Sequence, residues 1–337
     1  MAQSSIHKNH TGAAAPDLSI VILSWNTKAL LLKCLETVEA AAAPPSREII
    51  VVDNASKDGS PDAVEREFPG VRLIRNNKND GYARGNNIGI REARGRYILL
   101  LNSDTEVAPG AFYALVHFLE THPKYGAAAS RLWNRDGTIQ RACMRFPTLL
   151  SAIFYDARPG RWWPNNPIIN RHFFKDFDHI DSRDVEQPPG AAMCLRKDVL
   201  DRVGLLNEEL FLFFNDVDLC KRILAAGFRI RYLADSNMIH HGGASTSLYP
   251  AFAAEYFRNK IAYFRIHYGS LGENLMRWVT RWRGAEEKDN LRKRGLAPDV
   301  LEASLHGVDG ALATALRRDP SGQGVFSELP DTNVRVS

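Results

Sequence analysis

The chain predicts an α/β fold with a central, mostly parallel sheet flanked by helices, and three observations point to it. Short apolar runs alternate with stretches whose apolar residues recur every three or four positions, a β-α pattern repeated from residue 18 to residue 107. Each apolar run ends abruptly in Asp, Asn, Ser or Gly. A right-handed crossover at each step puts those four strand ends on one edge of one sheet. That edge is where open α/β sheets bind ligands.

Composition sets the outer bounds. A chain of 337 residues, 45% hydrophobic and 24% charged, can bury a full core as one large α/β domain with additions or as two domains. A net charge of +4 is too weak and mixed to argue for nucleic acid as a partner. No window approaches a membrane-spanning apolar run, and Met1 to Pro16 is polar and Ala-rich without the apolar core of a signal peptide. A cytoplasmic protein is the expectation. The four cysteines lie far apart with no C-x-x-C pair and read as buried free thiols.

In chain order, Leu18 to Leu23 is the first strand, and Ser24-Trp-Asn-Thr27 leads into a helix with Leu30, Leu31, Cys34, Leu35 and Val38 on one face. Glu48 to Val52 is the second strand, ending in Asp53-Asn-Ala-Ser-Lys-Asp-Gly-Ser60. That loop can accept from a nucleobase amide or from ribose hydroxyls; it is equally an Asp-rich turn that caps the helix of Pro61 to Phe68. The third strand, Val71 to Arg75, runs into an Asn- and Gly-rich segment, Asn76 to Gly89. Gly81 lets backbone approach a ligand, and amides there can donate to phosphate or sugar. The segment is no P-loop, and its uniform Gly81, Gly85, Gly89 spacing does not match a dinucleotide fingerprint.

The fourth run, Tyr97 to Leu101, is bounded by polar residues and reads as a strand buried on both faces. Asp104 then stands at its carboxyl end, placed either to hold a divalent cation against a phosphate or to cap the helix after Pro109. A helix with Phe112, Leu115, Val116 and Leu119 follows, then a strand from Gly126 to Leu132. Residues 142–186 are aromatic and Pro-rich, with Trp162, Trp163, Phe173 and Phe174, and read as a surface-packed loop in preference to an acceptor-facing excursion. Pro188 to Arg196 resumes the pattern, followed by a short helix from Lys197 to Val203.

From Asp216 a helical stripe of Leu219, Cys220, Ile223 and Leu224 runs to a stop at Gly227, and Asp216 and Asp218 fall in its first turn, where carboxylates suit the helix dipole. A strand from Phe228 to Leu233 precedes His240 and His241, which face opposite sides of an extended chain. Tyr249 to Tyr268 is helical. Arg277 to Arg294 then holds seven Lys or Arg against three Asp or Glu, with Trp278 and Trp282 one turn apart. That stretch suits an anionic membrane surface or a solvated helix packing its Trp on the body.

Together, Ser24-Trp-Asn26, Val52-Asp-Asn-Ala-Ser-x-Asp-Gly-Ser60, Asn79-x-Gly-Tyr-Ala-x-Gly-Asn-Asn-x-Gly89 and Leu101-Asn-Ser-Asp-Thr-Glu106 resemble the nucleotide-sugar half of a family 2 glycosyltransferase of the GT-A fold. The nearest match is the subgroup with rhamnosyltransferases and galactofuranosyltransferases. The resemblance implies a flexible tail at 1–17, a GT-A domain at 18–268 (nucleotide-binding half 18–107, acceptor and catalytic half 108–268) and a basic helical extension at 269–337. It implies an inverting enzyme with Asp216 as general base, matching the Asp of the family's Glu-Asp pair, while Asn215 replaces the Glu.

The implied cofactor is Mn²⁺ or Mg²⁺, held by Asp104 and by His240, which matches the family's H-x-x-G-x-S together with Gly243 and Ser245; His241 is the second choice. Donor-nucleotide contacts are expected from Ser24, Asn26, Asp53, Asn54, Ser56, Asp58, Asn79, Gly81, Tyr82, Asn87, Asn102 and Ser103. Gly190, Ala191, Asn215, Asp218, His241 and Ser245 are expected on the acceptor side. The partners would be a nucleotide-sugar donor, dTDP-rhamnose first with galactofuranose, galactose and glucose donors behind it, and a saccharide or polyprenyl-linked saccharide acceptor, with the enzyme cytoplasmic, either free or peripheral on the inner face of the plasma membrane. The competing reading is a catalytically inactive nucleotide-sugar or glycan-binding module, encouraged by Asn102 and Asn215 standing where acidic residues are common.

Overall fold

β1 (Leu18–Ser24) is apolar at nearly every position, so it can lie only where both faces of a sheet are covered. Leu18, Ile20 and Ile22 point into one apolar layer and Val21 into the other. The computed structural model describes residues 15–41, 44–156, 163–242, 252–294 and 296–317. After β1 come α1 (Lys28–Ala40), β2 (Arg47–Asp53), α2 (Ser60–Glu67), β3 (Arg72–Arg75), α3 (Gly81–Glu92), β4 (Tyr97–Asn102), β5 (Thr105–Val107), α4 (Ala111–Thr121) and β6 (Tyr125–Trp133). The second half adds α5 (Leu149–Asp156), α6 (Pro167–His172), β7 (Arg183–Asp184), β8 (Ala192–Arg196), α7 (Lys197–Val203), α8 (Asn215–Ala225), β9 (Arg229–His240), α9 (Phe252–Lys293) and α10 (Pro298–Leu316).

The strands form one sheet in the order β3-β2-β1-β4-β8-β6-β9-β5, with β7 also on β9. Pairing is parallel from β3 to β4 and mixed beyond, where β8 runs antiparallel to both β4 and β6. Register aligns Ser24 with Asp53 and Leu23 with Asn102, so three of the polar strand ends finish on one edge. One layer of the core packs α1 and α4 through Leu31, Leu35, Phe112 and Leu115; the other packs α3, α7 and α8 through Ile90, Leu200, Leu219 and Ile223. Burying each such side chain contributes about 1.5–3 kcal/mol.

The four-residue glycine spacing of α3 is a packing device. A Cβ at Gly85 would lie 2.4 Å from Leu23 Cδ1, and one at Gly89 would lie 2.4 Å from Val21 Cγ1. Residues four apart share a helix face, so bare glycines let α3 lie directly on β1. Gly81 opens the helix at φ +75, with its Cα against Phe211, where a Cβ would meet the backbone oxygen at 2.6 Å.

Residues 142–186 correct the surface-loop expectation. Phe174 and Phe177 are buried in the sheet's second layer, and buried His179 accepts from Cys143 N through Nε2 at 3.1 Å. Short apolar pieces separated by Pro and charge hid two helices and a strand among the described residues there. Trp163 is exposed, and Trp162 lies outside the described residues. α9 is broken at Gly269, φ 62, and its second arm packs against α10. Five of the seven cations from Arg277 to Arg294 pair with carboxylates (Glu273, Glu286, Asp309, Asp289 and Glu287), which leaves less free positive charge than the sequence suggests. Among the described residues, no helix is long and apolar enough to cross a membrane. All four cysteines are buried and free, and burial pushes their thiols well up.

Candidate active site

β4 ends at Asn102, and the chain reverses through Ser103 and Asp104 so that Thr105 already pairs with His240 at the end of β9. This short antiparallel β5 went unread in the sequence, and it is what brings the two segments together. Asp104 Oδ1 lies 3.3 Å from His240 Nε2. Asn102 Nδ2 is 3.4 Å from the same nitrogen, and His240 Nδ1 is 2.9 Å from Gln140 Oε1. His241 turns to Glu106, Nε2 to Oε1 at 2.7 Å, while its backbone N–H donates to the Asp104 carbonyl. A carboxylate oxygen beside an imidazole nitrogen is a donor set that fits a divalent cation of the Mn²⁺ type. Among the described residues, no group of three His, Cys, Asp or Glu forms a fuller cage, so substrate oxygens and water would complete the coordination.

Asp216 approaches from α8. Phe214 takes φ 65 and so starts the helix abruptly, placing Asn215 and Asp216 in its first turn. Buried Asn215 donates to the Leu210 carbonyl at 3.2 Å. Asp216 Oδ1 accepts from Val217 N at 2.9 Å, and Gly190 N also donates to the carboxylate. Any Cβ at Gly190 would sit 2.8 Å from Asp216 Oδ2, so glycine is what allows this contact. Burial pushes the Asp216 carboxyl above its ordinary value, and these backbone N–H groups only partly oppose it. The Tyr82 hydroxyl donates to the Gly190 carbonyl at 3.0 Å, and Asn102 N donates to the Ala191 carbonyl at 2.9 Å. Burial and then the fields of Asp216 and Asp104 push the Tyr82 phenol well up. Tyr82 and Asn102 therefore both bind the Gly190–Ala191 segment, which ties the end of β4 to the backbone that holds Asp216.

Asp218 has a different position. It is buried, accepting from His267 Nε2 at 2.9 Å and from Arg222 Nε at 2.8 Å, and Arg222 in turn donates to the Val203, Gly204 and Leu205 carbonyls. Burial raises its carboxyl, but the His267 and Arg222 contacts outweigh that and hold it below the usual range. A folded-state pKa below the unfolded value contributes stability above the unfolded pKa and loses it as pH falls through the folded one. Asp218→Asn is expected to lower the melting temperature at neutral pH by an amount equivalent to about 1–3 kcal/mol. The deficit should shrink in acid, and turnover of the folded enzyme should be retained; thermal melts across pH check this.

The loops of the first three strand ends mostly hold one another. Ser24 Oγ, Thr27 Oγ1 and Ser103 Oγ form a buried hydroxyl chain at 3.2 and 2.9 Å. Asn26 receives the Lys57 N–H and Ser56 Oγ receives the Asn26 N–H. Asp58 caps Lys28 N and Ser60 N, and Asn79 Oδ1 takes the Gly81 N–H. Asn54 accepts from Asn76 and donates to Asn79 and to the Gly81 carbonyl. Asn87 accepts from Leu206 N and donates to the Leu206 carbonyl and to Glu208. Both ends of these last two amides are engaged within the protein, so Asn54 and Asn87 help build the scaffold that carries these loops. Asp53 differs. Its Oδ2 accepts from Ser56 N at 2.9 Å, whereas buried Oδ1 has no partner among the described residues.

The sequence marks Thr27 after the first strand and Asn259 on the Tyr249–Tyr268 helix without a site role for either, and it gives no signal for Gln140. Asn259 Oδ1 takes the N–H groups of Leu212 and Phe213, both at 2.8 Å, and so ties α9 to the loop that delivers Asp216. A lone Asn among buried Ile261, Tyr263 and Phe264 was the available signal. Ser245, like Gly243 of the same motif, lies outside the described residues.

A mixed sheet whose parallel half ends in Asp- and Asn-rich loops, with a carboxylate-imidazole pair after the fourth strand, is the architecture of the GT-A fold. The chain belongs to Glycosyl transferase family 2, whose model matches residues 19–203. It is 25% identical over 276 residues to the N-acetylglucosaminyl-diphospho-decaprenol L-rhamnosyltransferase of Mycobacterium tuberculosis (strain ATCC 25618 / H37Rv), covering 78% of this chain and 89% of that protein. It is 24% identical over 309 residues to the low-salt glycan biosynthesis hexosyltransferase Agl10 of Haloferax volcanii, covering 87% and 91%. Among solved structures, the mannosyltransferase PcManGT from Pyrobaculum calidifontis, in complex with GDP-Man and Mn²⁺, superposes with a TM-score of 0.52 at 18% identity, covering 89% of this chain and 81% of that one.

Proposed function

We propose that the protein is an inverting, divalent-cation-dependent glycosyltransferase that moves rhamnose from dTDP-rhamnose to a lipid-linked saccharide acceptor. The observation that carries the reading is the Asp104–His240 carboxylate–imidazole pair at the end of β4, with the Asp216 carboxylate set against Gly190, whose carbonyl accepts from the Tyr82 hydroxyl. Asp216 takes the proton of an acceptor hydroxyl, and that oxygen attacks the anomeric carbon from the face opposite the diphosphate. The new C–O bond forms as the bond to the diphosphate breaks with its electron pair, so the anomeric configuration inverts. A cation bound at Asp104 and His240 would neutralise charge on the leaving group. The unpartnered Asp53 Oδ1 is an acceptor suited to the imide N–H of a thymine or uracil base. Rhamnose and the polyprenyl carrier rest on the mycobacterial relative, whose name states both its sugar and its decaprenol-linked acceptor.

Screening nucleotide sugars for protection against thermal unfolding tests the donor. dTDP-rhamnose with Mn²⁺ is expected to raise the melting temperature most, because ligand that binds only the folded state stabilises by about 2.7 kcal/mol at a hundredfold excess over Kd. Stronger protection by a GDP- or CMP-sugar would overturn the base and sugar assignments together.

A further inference from the structure

We propose that Gln140 is a positioning residue that fixes His240 in one neutral tautomer, proton on Nδ1 and lone pair on Nε2, through a polar relay anchored at Asp136. The inference rests on the reading that Asp104 and His240 hold the cation. After β6 the chain turns back through Asn134 to Thr138, with Asn134 N donating to the Thr138 carbonyl at 2.8 Å and Gly137 taking φ +80. Gln140 N then donates to the Leu132 carbonyl at 2.8 Å, which fixes the base of its side chain. This short hairpin is what carries Gln140 to the end of β9.

Each link in the relay dictates the next. Asp136 Oδ1 lies 2.6 Å from Thr138 Oγ1 and also accepts the Thr138 N–H at 3.0 Å; these bonds hold its carboxyl below the usual range, so it is an acceptor only. The Thr138 hydroxyl must therefore donate to Asp136, leaving its lone pair to accept from Asn134 Nδ2 at 2.9 Å. That orientation turns Asn134 Oδ1 toward Gln140, which must present Nε2, at 3.0 Å. Gln140 then has Oε1 toward His240 Nδ1 at 2.9 Å, and only an N–H can face it. The assignment follows from the acid at the end of the chain and not from how amide atoms are named, a choice that is otherwise open. In the neutral ring the lone pair is then on Nε2, facing Asp104 Oδ1 at 3.3 Å. Two acceptors opposed in this way form a cation site, and Asn102 Nδ2 at 3.4 Å is oriented to donate to the same lone pair when no cation is there. A hydrogen bond from the second ring nitrogen is how proteins commonly set both the tautomer and the orientation of a metal-binding histidine.

The test uses the full-length protein. Long-range ¹H–¹⁵N NMR without metal is expected to show His240 as the Nδ1–H tautomer in the parent and in Gln140→Glu, which keeps the acceptor, and to show that preference lost in Gln140→Ala. Mn²⁺ titration followed by electron paramagnetic resonance is expected to give about 10–100-fold weaker binding for Gln140→Ala and near-parental binding for Gln140→Glu. An Nε2–H tautomer in the parent would overturn the proposal whatever the variants do. So would Gln140→Ala binding Mn²⁺ as the parent does while His240→Ala loses it. Should His240→Ala bind Mn²⁺ normally, the metal reading fails instead, and the tautomer in the metal-free protein still decides the relay.

Discussion

Asp216→Asn is expected to fold, bind nucleotide sugar and Mn²⁺ like the parent, and transfer almost no sugar, with the rate reduced by about 10²–10⁴. Folding should survive because an amide oxygen can still accept from Val217 N or Gly190 N, two of the backbone donors that the carboxylate uses. The lost property is basicity. Burial holds the Asp216 carboxyl above its ordinary value, and a base works only when ionised. Activity of the parent should therefore fall, as pH is lowered, at a pH above the ordinary carboxylate range. Single-turnover rates across pH check both points. An active Asp216→Asn beside an inert but folded Asp218→Asn would move the base to Asp218, against the position of that side chain between His267 and Arg222.

The second large effect is on the cation. Asp104→Ala and His240→Ala are each expected to weaken Mn²⁺-dependent nucleotide binding by at least about 100-fold, since even partners outside the coordination sphere cost about 10–100-fold. His241→Ala should leave it near the parental value, because the His241 ring is engaged by Glu106 through Nε2, whereas His240 is the ring beside Asp104 Oδ1. Calorimetric titration of dTDP with and without Mn²⁺ measures this. Equal losses in the two His variants would remove His240 as the ligand.

The parallel half of the fold was legible because its strands are short, apolar on both faces and closed by polar ends, a pattern that survives without tertiary knowledge. The second half was harder for a physical reason: β5 has three residues and β7 two, too few for any periodicity, and β5 exists only because β9 continues past Leu233 to His240. That hidden extension is what sets Asp104 beside His240, a proximity that the sequence implied by family resemblance alone. Asn54 and Asn87 illustrate the opposite limit. An Asn in a ligand loop and an Asn that clamps backbone look alike in sequence, and only their filled hydrogen bonds separate them. The glycines of α3 were equally ambiguous, since close approach to a ligand and close approach to Phe211 (Gly81) or to β1 (Gly85 and Gly89) all require a missing Cβ.

The anomeric configuration of the product tests the central claim most directly. With dTDP-rhamnose and a lipid-linked saccharide acceptor, NMR of the first-formed glycoside should show a linkage opposite in configuration to the donor's, as one displacement assisted by Asp216 requires. A product that keeps the donor's configuration would contradict that mechanism.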